Sequence, residues 1–391
     1  MRLRALIGFL SGVLLLPGTA VSQTSPPPAS PPSTSPSPPP ETNFWAISDS
    51  TIAVIPARIG FPRTAGVVTA YQNGEFSLQG QGLDLGVQYR SPDRAIFATA
   101  YVYYPGLAHT GLTAFATDDG MRRNSPTPLS GGEARTVAAG GVNGVAIRRD
   151  CGGYRSFASS AAFIKTDRWM IKLRVSGPEA RRVEVMAAMD ALLAGITFGR
   201  QFQPRPAAIM TVDPCPAAAG GRAAGELQDP SGSESAAHAF LATLDGGGNA
   251  ATGEGGERRN LPSRVPSTMC LSQNARLGQL TIPILRGVEG PALSIDGRTM
   301  LLAILNDAGD TVEVVHAPNL QRFWLLRHRI GETLFLRSFD GVPSDEQVIE
   351  AIDANLSGRR PVNIRVRLSP DGRDQIFIPG APAARPARTG A

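Results

Sequence analysis

Lysine is nearly absent from this chain. Of its 38 basic residues only Lys165 and Lys172 are Lys, and the other 36 are Arg. Together with the surplus of Ala, Gly and Pro this reads as nucleotide bias in the coding genome, so abundant Arg is not by itself a functional sign. Cysteine is scarce at three, too few for a disulfide framework, and without a CxxC spacing both disulfide exchange and a zinc ribbon are excluded. The four histidines, His109, His238, His316 and His328, are dispersed with no HExxH and no close pair, so the spacing contains no metal site. Aromatic residues make up only 6%, and no basic stripe interleaves with them, which excludes a nucleic-acid partner. Neither Lys follows a Gly, so there is no Walker-type loop, and there is no GxSxG nucleophile elbow. No cofactor is expected.

Long apolar runs are also missing. The longest, Ala5 to Leu16, is twelve residues and ends at Pro17-Gly18, short of the roughly 18 to 20 that span a bilayer. With Arg2 and Arg4 before it and the small residues Ala20 and Ser22 after it, it reads as an export signal cleaved after Ser22. No transmembrane segment is expected after cleavage. Residues 24–40, TSPPPASPPSTSPSPPP, cannot bury apolar surface and predict an extended polyproline spacer. At about 3 Å per residue it would reach roughly 50 Å.

The remaining length suggests two domains. We divide the chain into a signal peptide (1–22), a Pro/Ser-rich disordered spacer (23–43), a first α+β domain (44–205), a Gly/Ala/Pro-rich linker and loop (206–260), a second α+β domain (261–380) and a disordered tail (381–391). Each domain is expected to be a mainly antiparallel sheet with one or two packed helices. Residues 42–205 hold 18 basic against 12 acidic side chains and 206–378 hold 16 against 20, so the halves differ in sign. That asymmetry suits contact between the halves, or between the first half and an anionic surface.

Asn73-Gly74, between VVTAY and EFSL, predicts a hairpin turn, and LDLGVQYR and RAIFATAYVYY predict strands after it. A helix is expected over 107–121. In RWMIKLRV, Trp169, Ile171, Leu173 and Val175 alternate with Arg168, Met170, Lys172 and Arg174, which predicts one core face and one wet face. Ser176-Gly177-Pro178-Glu179 then reads as a capped helix start, and Val185, Met189, Leu192 and Ile196 form the stripe of that helix. In the second half, MLLAIL and TVEVVHA flank a hairpin loop at 306–310. Ser344 and Gln347 make a capping box for a helix running to Leu356, with a short helix also expected over 235–244.

The run LGVQYRSPDRAIFATAYVYYPG followed by a helix, and the ending RWMIKLRVSGPEA with its amphipathic helix, resemble secreted bacterial α+β domains of unassigned activity whose layout is similar to the Mog1/PsbP-like fold. The resemblance covers the first half. It implies an accessory or binding role and transfers no site residues.

Three groups of side chains could carry function. In an oxidising compartment one bridge can form among Cys151, Cys215 and Cys270, and Cys215 with Cys270 is favoured because both flank the Gly-rich segment. Tyr101, Tyr103 and Tyr104 cluster at a strand end, where aromatic rings can make a ligand or protein contact. Arg168, Lys172 and Arg174 share one strand face and suit phosphate or carboxylate groups of envelope polymers. Ser338, Asp340, His316 and His328 fall in one region of the chain without a nucleophile elbow. The turn-like GQGLDLG at 80–86 and the pair Asp118-Asp119 each have a plainer structural reading. These features point to an exported, periplasmic or secreted, non-enzymatic binding or accessory protein whose partner is an envelope protein or an anionic envelope polymer. The alternative is an exported hydrolase with a site assembled from distant residues.

Overall fold

The long antiparallel strands at 84–90, 97–103, 157–166 and 169–178, buried along much of their length, are the frame around which the rest is arranged. The computed structural model describes residues 43–77, 81–123, 125, 128–154, 156–167, 169–200, 202–216, 223–227, 265–287, 299–317, 322–360, 362, 364–369 and 374–377. The expected helix at 235–244 and Arg168 lie outside the described residues.

A four-stranded sheet joins β1 (Trp45–Ile47), β2 (Thr51–Val54), β3 (Ile59–Pro62) and β13 (Thr197–Phe198). The central, nine-stranded sheet contains β4 (Thr64–Ala65), β5 (Val68–Glu75), β6 (Asp84–Arg90), β7 (Phe97–Tyr103), β8 (Ser130–Gly131), β9 (Arg135–Ala139), β10 (Val142–Tyr154), β11 (Phe157–Thr166) and β12 (Trp169–Pro178). Its order is β4-β5-β6-β7-β12-β11-β10-β8, with β9 also on β10. A ten-stranded sheet holds β14 (Thr211–Pro214), β15 (Glu226–Leu227), β16 (Thr268–Leu277), β17 (Leu280–Gly287), β18 (Thr299–Ile304), β19 (Thr311–Ala317), β20 (Arg322–Arg329), β21 (Glu332–Phe339), β22 (Ile364–Arg367) and β23 (Gln375–Phe377). The helices are α1 (Thr110–Arg123), α2 (Arg182–Gly195) and α3 (Asp345–Leu356).

The expected α+β class is therefore corrected: 53% of the described residues are strand and 17% helical, in three helices, and the protein is mostly β with large sheets. Strands also occur in segments without a period-two pattern, including β1, β14 and β15, where pairing with a neighbour imposes the extended form.

One face of the central sheet is dry. Leu85, Val87, Tyr89, Val102, Ile171 and Leu173 are buried there with Val185, Met189 and Leu192 of α2, and the same cluster takes in Trp324, Phe335 and Val366 of the ten-stranded sheet. Within it Tyr104 meets Trp169 edge-on at 5.0 Å and Trp324 meets Phe335 at 5.5 Å. Such pairs add about 0.5–1.5 kcal/mol each beyond area burial. Helix α1 packs on both large sheets: Ala114 joins Ile147, Ala161 and Phe163, whereas Leu112 and Ala116 join Leu285, Leu302 and Ile304.

A backbone seam joins the central sheet to the ten-stranded one. Gly106 N donates to Arg329 O at 2.9 Å and Gly331 N to Tyr104 O at 2.8 Å, around a bridge between Pro105 and Ile330. Gly331 has φ +70°, and an added Cβ there would meet the Leu83 side chain at 2.6 Å.

Three local expectations are also corrected. Asn73-Gly74 is not a turn: both residues continue β5, opposite Val87 and Gly86, and the chain reverses later, where Phe76 N donates to Asp84 O at 2.7 Å. Ser176 does not cap α2. Its hydroxyl pairs with that of Ser159 at 2.8 Å while β12 runs on to Pro178, and the helix opens after a 3-10 turn with no side-chain cap. The second face of RWMIKLRV is not wet at Met170 or Lys172, because α1 and the 306–310 loop cover it. The capping box of α3 is present, with Gln347 N donating to Ser344 Oγ at 3.4 Å. Gly309 sits at φ +90° in the hairpin loop of 306–310.

Candidate functional site

Cross-strand register brings two of the three expected groups together. Lys172 lies opposite Tyr101, and Arg174 opposite Thr99, so the basic and aromatic candidates share the outer face of the central sheet. They differ in access. Tyr101 is half-buried. Tyr103 is sealed beneath α1, and burial drives its phenol above the usual range. Tyr104 turns to the opposite face and into the core, so it cannot form part of an outer surface. Lys172 is only 8% exposed, and its Nζ reaches Asp307 Oδ2 at 2.5 Å. Burial works against charge on both partners, yet Lys172 still holds the Asp307 carboxyl below its ordinary range. Arg174 is half-buried beside a cavity under α1, where its charge acts on Asp307 without a close ion pair among the described residues.

Sequence reasoning missed the rest of this face. Helix α1 covers its β10–β11 half and leaves the β5–β7 half open. There Tyr71, Phe76 and Phe97 are 44%, 47% and 48% exposed. The Tyr71 hydroxyl donates to Gln88 Oε1 at 2.7 Å, and Arg90 lies over the Tyr71 ring at 4.3 Å. Phe76 packs 6.4 Å from Tyr101 over Gly86, where an added Cβ would come within 2.8 Å of the Phe76 ring. Alternation in DLGVQYR and FATAYVY implied an outward set but not which part of it stays uncovered.

At the lower end of the face, beside the seam, lies a cleft of about 360 Å3 lined from both large sheets. One wall carries Phe76, Leu83 and Asp84, and the other Glu332, Arg365 and Arg367. The Asp84 carboxyl has no hydrogen-bond partner among the described residues, and burial, with the nearby Glu75 charge, raises its pKa to about 6. Glu332 is held by Arg329 at 2.8 Å and Arg365 at 3.5 Å, and Asp310 by both ends of Arg327. Arg367 lies over the Phe377 ring at 5.1 Å with no carboxylate partner among the described residues.

Cys215 and Cys270 are bonded, linking the end of β14 to β16 with Cα atoms 4.7 Å apart. Cys151 is free and buried on β10 beside a cavity of about 10 Å3, room for little more than a water molecule. Burial raises its thiol pKa against the opposing pull of Arg149 and Arg174, so it is a poor nucleophile.

His328 bonds Glu313 at 2.8 Å and Thr333 at 3.1 Å, an arrangement that resembles a catalytic triad. All three are 0% exposed, and no substrate can reach them. Burial, with Lys165 nearby, lowers His109 to about 4, and its Nδ1 accepts from Leu112 N at the start of α1. Ser338 is buried. Among the described residues no group of three or more His, Cys, Asp or Glu could hold a metal ion, and no helix is long and apolar enough to cross a membrane.

Comparison of the chain with protein-family models and with curated proteins finds no match.

Proposed function

We propose that this chain is an exported, non-enzymatic envelope binding or accessory protein whose contact surface is the open half of the central sheet's outer face, and that its partner is an anionic envelope polymer of sugars. The observation that carries the reading is the group of exposed rings Tyr71, Phe76 and Phe97, with half-buried Tyr101 against Phe76, set with Arg90 and Arg174. Contiguous exposed aromatic residues on a rigid sheet suit a contact surface, since they desolvate readily and lose little side-chain entropy. Their flat faces accept the C–H faces of sugar rings. Arg90 lies over Tyr71 with no carboxylate ion pair among the described residues, so it is available for a polymer's carboxylates or phosphates, and Arg174, whose charge also acts on Asp307, adds positive potential beside it. The apolar leader and Pro-rich spacer support delivery to the periplasm or beyond, and the Cys215–Cys270 bond suits an oxidising compartment. The accessory role implied by the Mog1/PsbP-like resemblance points the same way.

The test is cosedimentation of the mature full chain with polygalacturonate and with neutral dextran over a salt series. Binding should favour the anionic polymer, weaken as salt rises, and fall roughly tenfold or more in an Arg90→Glu/Arg174→Glu variant with unchanged thermal midpoint. Equal binding to dextran, or indifference to both charge reversals, would refute the proposal. Capture of an envelope protein that does not compete with polygalacturonate would do the same.

A further inference from the structure

We infer that the cleft at the seam is a binding site for one acidic sugar residue, with Arg367 meeting its carboxylate and Asp84 its hydroxyls. The inference builds on the polymer reading above and names what the end of that surface takes. The volume of about 360 Å3 is at the small end of ligand sites, enough for one ring and its substituents. Most of the charge in the cleft is already matched. Glu332 is neutralised between Arg329 and Arg365, and Asp310 by Arg327. Among the described residues this leaves the Asp84 carboxyl, on the central-sheet wall, without a hydrogen-bond partner and the Arg367 guanidinium, on the β22 wall, without a carboxylate partner.

A half-buried polar group without a partner is costly, so the arrangement favours a ligand that supplies both missing partners. A planar guanidinium pairs with a carboxylate through two parallel hydrogen bonds, and a carboxyl group accepts from neighbouring hydroxyls. A hydroxylated carboxylate has both groups on one small frame. Phe76 belongs to both the cleft wall and the group of exposed rings, so a chain lying along the sheet can place its last residue in the cleft.

Calorimetric titration of the full chain with galacturonate, galactose and inorganic phosphate tests this. Galacturonate should bind roughly tenfold or more tighter than galactose. Arg367→Met should remove that preference while leaving galactose binding and the thermal midpoint unchanged, and Asp84→Ala should weaken both sugars without lowering the thermal midpoint. Equal affinity for the two sugars, phosphate binding as tight as galacturonate, or galacturonate binding that survives Arg367→Met would overturn the assignment. The Arg90→Glu/Arg174→Glu variant separates the two proposals. If it and the wild type both fail on polygalacturonate while galacturonate still titrates, the surface reading falls and the cleft stands. If polygalacturonate binds and galacturonate does not, the reverse holds.

Discussion

Lys172 on β12 and Asp307 in the loop after β18 form an ion pair that pins the hairpin loop of the ten-stranded sheet onto the face of the central one, with the Thr117 hydroxyl of α1 donating to the same carboxylate oxygen at 3.4 Å. The pair is asymmetric, the Lys172 side chain being 10% exposed and Asp307 45%. Removing Asp307 therefore strands a buried ammonium, whereas removing Lys172 leaves a carboxylate that water can reach.

Asp307→Asn should accordingly cost about 2–3 kcal/mol and Lys172→Met under about 1 kcal/mol, with the double variant close to wild type. Urea unfolding of the four proteins gives the coupling directly. Single effects that add within about 0.5 kcal/mol would show that the contact does not couple the sheets.

Asp84 predicts a pH effect of definite sign. Its pKa is raised from an ordinary 3.8 to about 6, so between those values the native protein holds a proton that the unfolded chain has released. Stability conferred by that proton is full below about 4, declines as pH rises to about 6 and is absent above. That rise corresponds to about 3 kcal/mol, which partial exposure reduces to about 1–2 kcal/mol. Asp84→Asn should therefore be about 1–2 kcal/mol more stable than wild type at pH 8 and equal to it near pH 3. Parallel pH–stability curves for the two proteins would show that Asp84 titrates normally.

What was legible in the sequence was local. The capping box of Ser344 and Gln347 and the 306–310 loop with Gly309 are set by neighbours three or four residues away, so local spacing alone located them. The stripe Val185, Met189 and Leu192 was likewise readable because a helix repeats its own period. What failed depended on distant parts of the chain. Alternation places Lys172 on a wet face because its cover, α1 and Asp307, comes from elsewhere, and Asn73-Gly74 reads as a turn because its partner strand, β6, lies beyond it. The cleft was invisible for the same reason, since Asp84 and Arg367 meet only after the Pro105–Ile330 seam has formed.

The Cys215–Cys270 bond closes a separation of 55 residues. On the chain-entropy model it should stabilise by about 4 kcal/mol. It also holds β16 where Cys270 is in register with Arg286, whose guanidinium is buried on Asp345 at the start of α3 at 2.6 Å. Cys215→Ser/Cys270→Ser should lower the unfolding free energy by about 2–5 kcal/mol, and reductant should reproduce the effect in the wild type. A reduced protein with an unchanged midpoint would mean that the bond adds nothing to the fold.

Two glycines give a paired test of the seam. A Cβ at Gly106 would lie 2.7 Å from Thr333 Oγ1, 2.9 Å from Glu332 O and 3.0 Å from His328 Cβ, and neither the backbone oxygen nor the buried histidine can yield cheaply. Gly106→Ala should cost about 1–3 kcal/mol and loosen the contact between the two large sheets. Gly120, within α1, meets nothing within 4 Å of an added Cβ. Gly120→Ala should therefore gain about 0.5–1 kcal/mol from helix propensity alone. Amide exchange should localise the first effect to Gly106 and Gly331, whose N–H groups donate across the seam, and leave α1 protected in both variants. If Gly106→Ala is as benign as Gly120→Ala, the two sheets do not meet as closely as this geometry requires, and the cleft that depends on the seam goes with it.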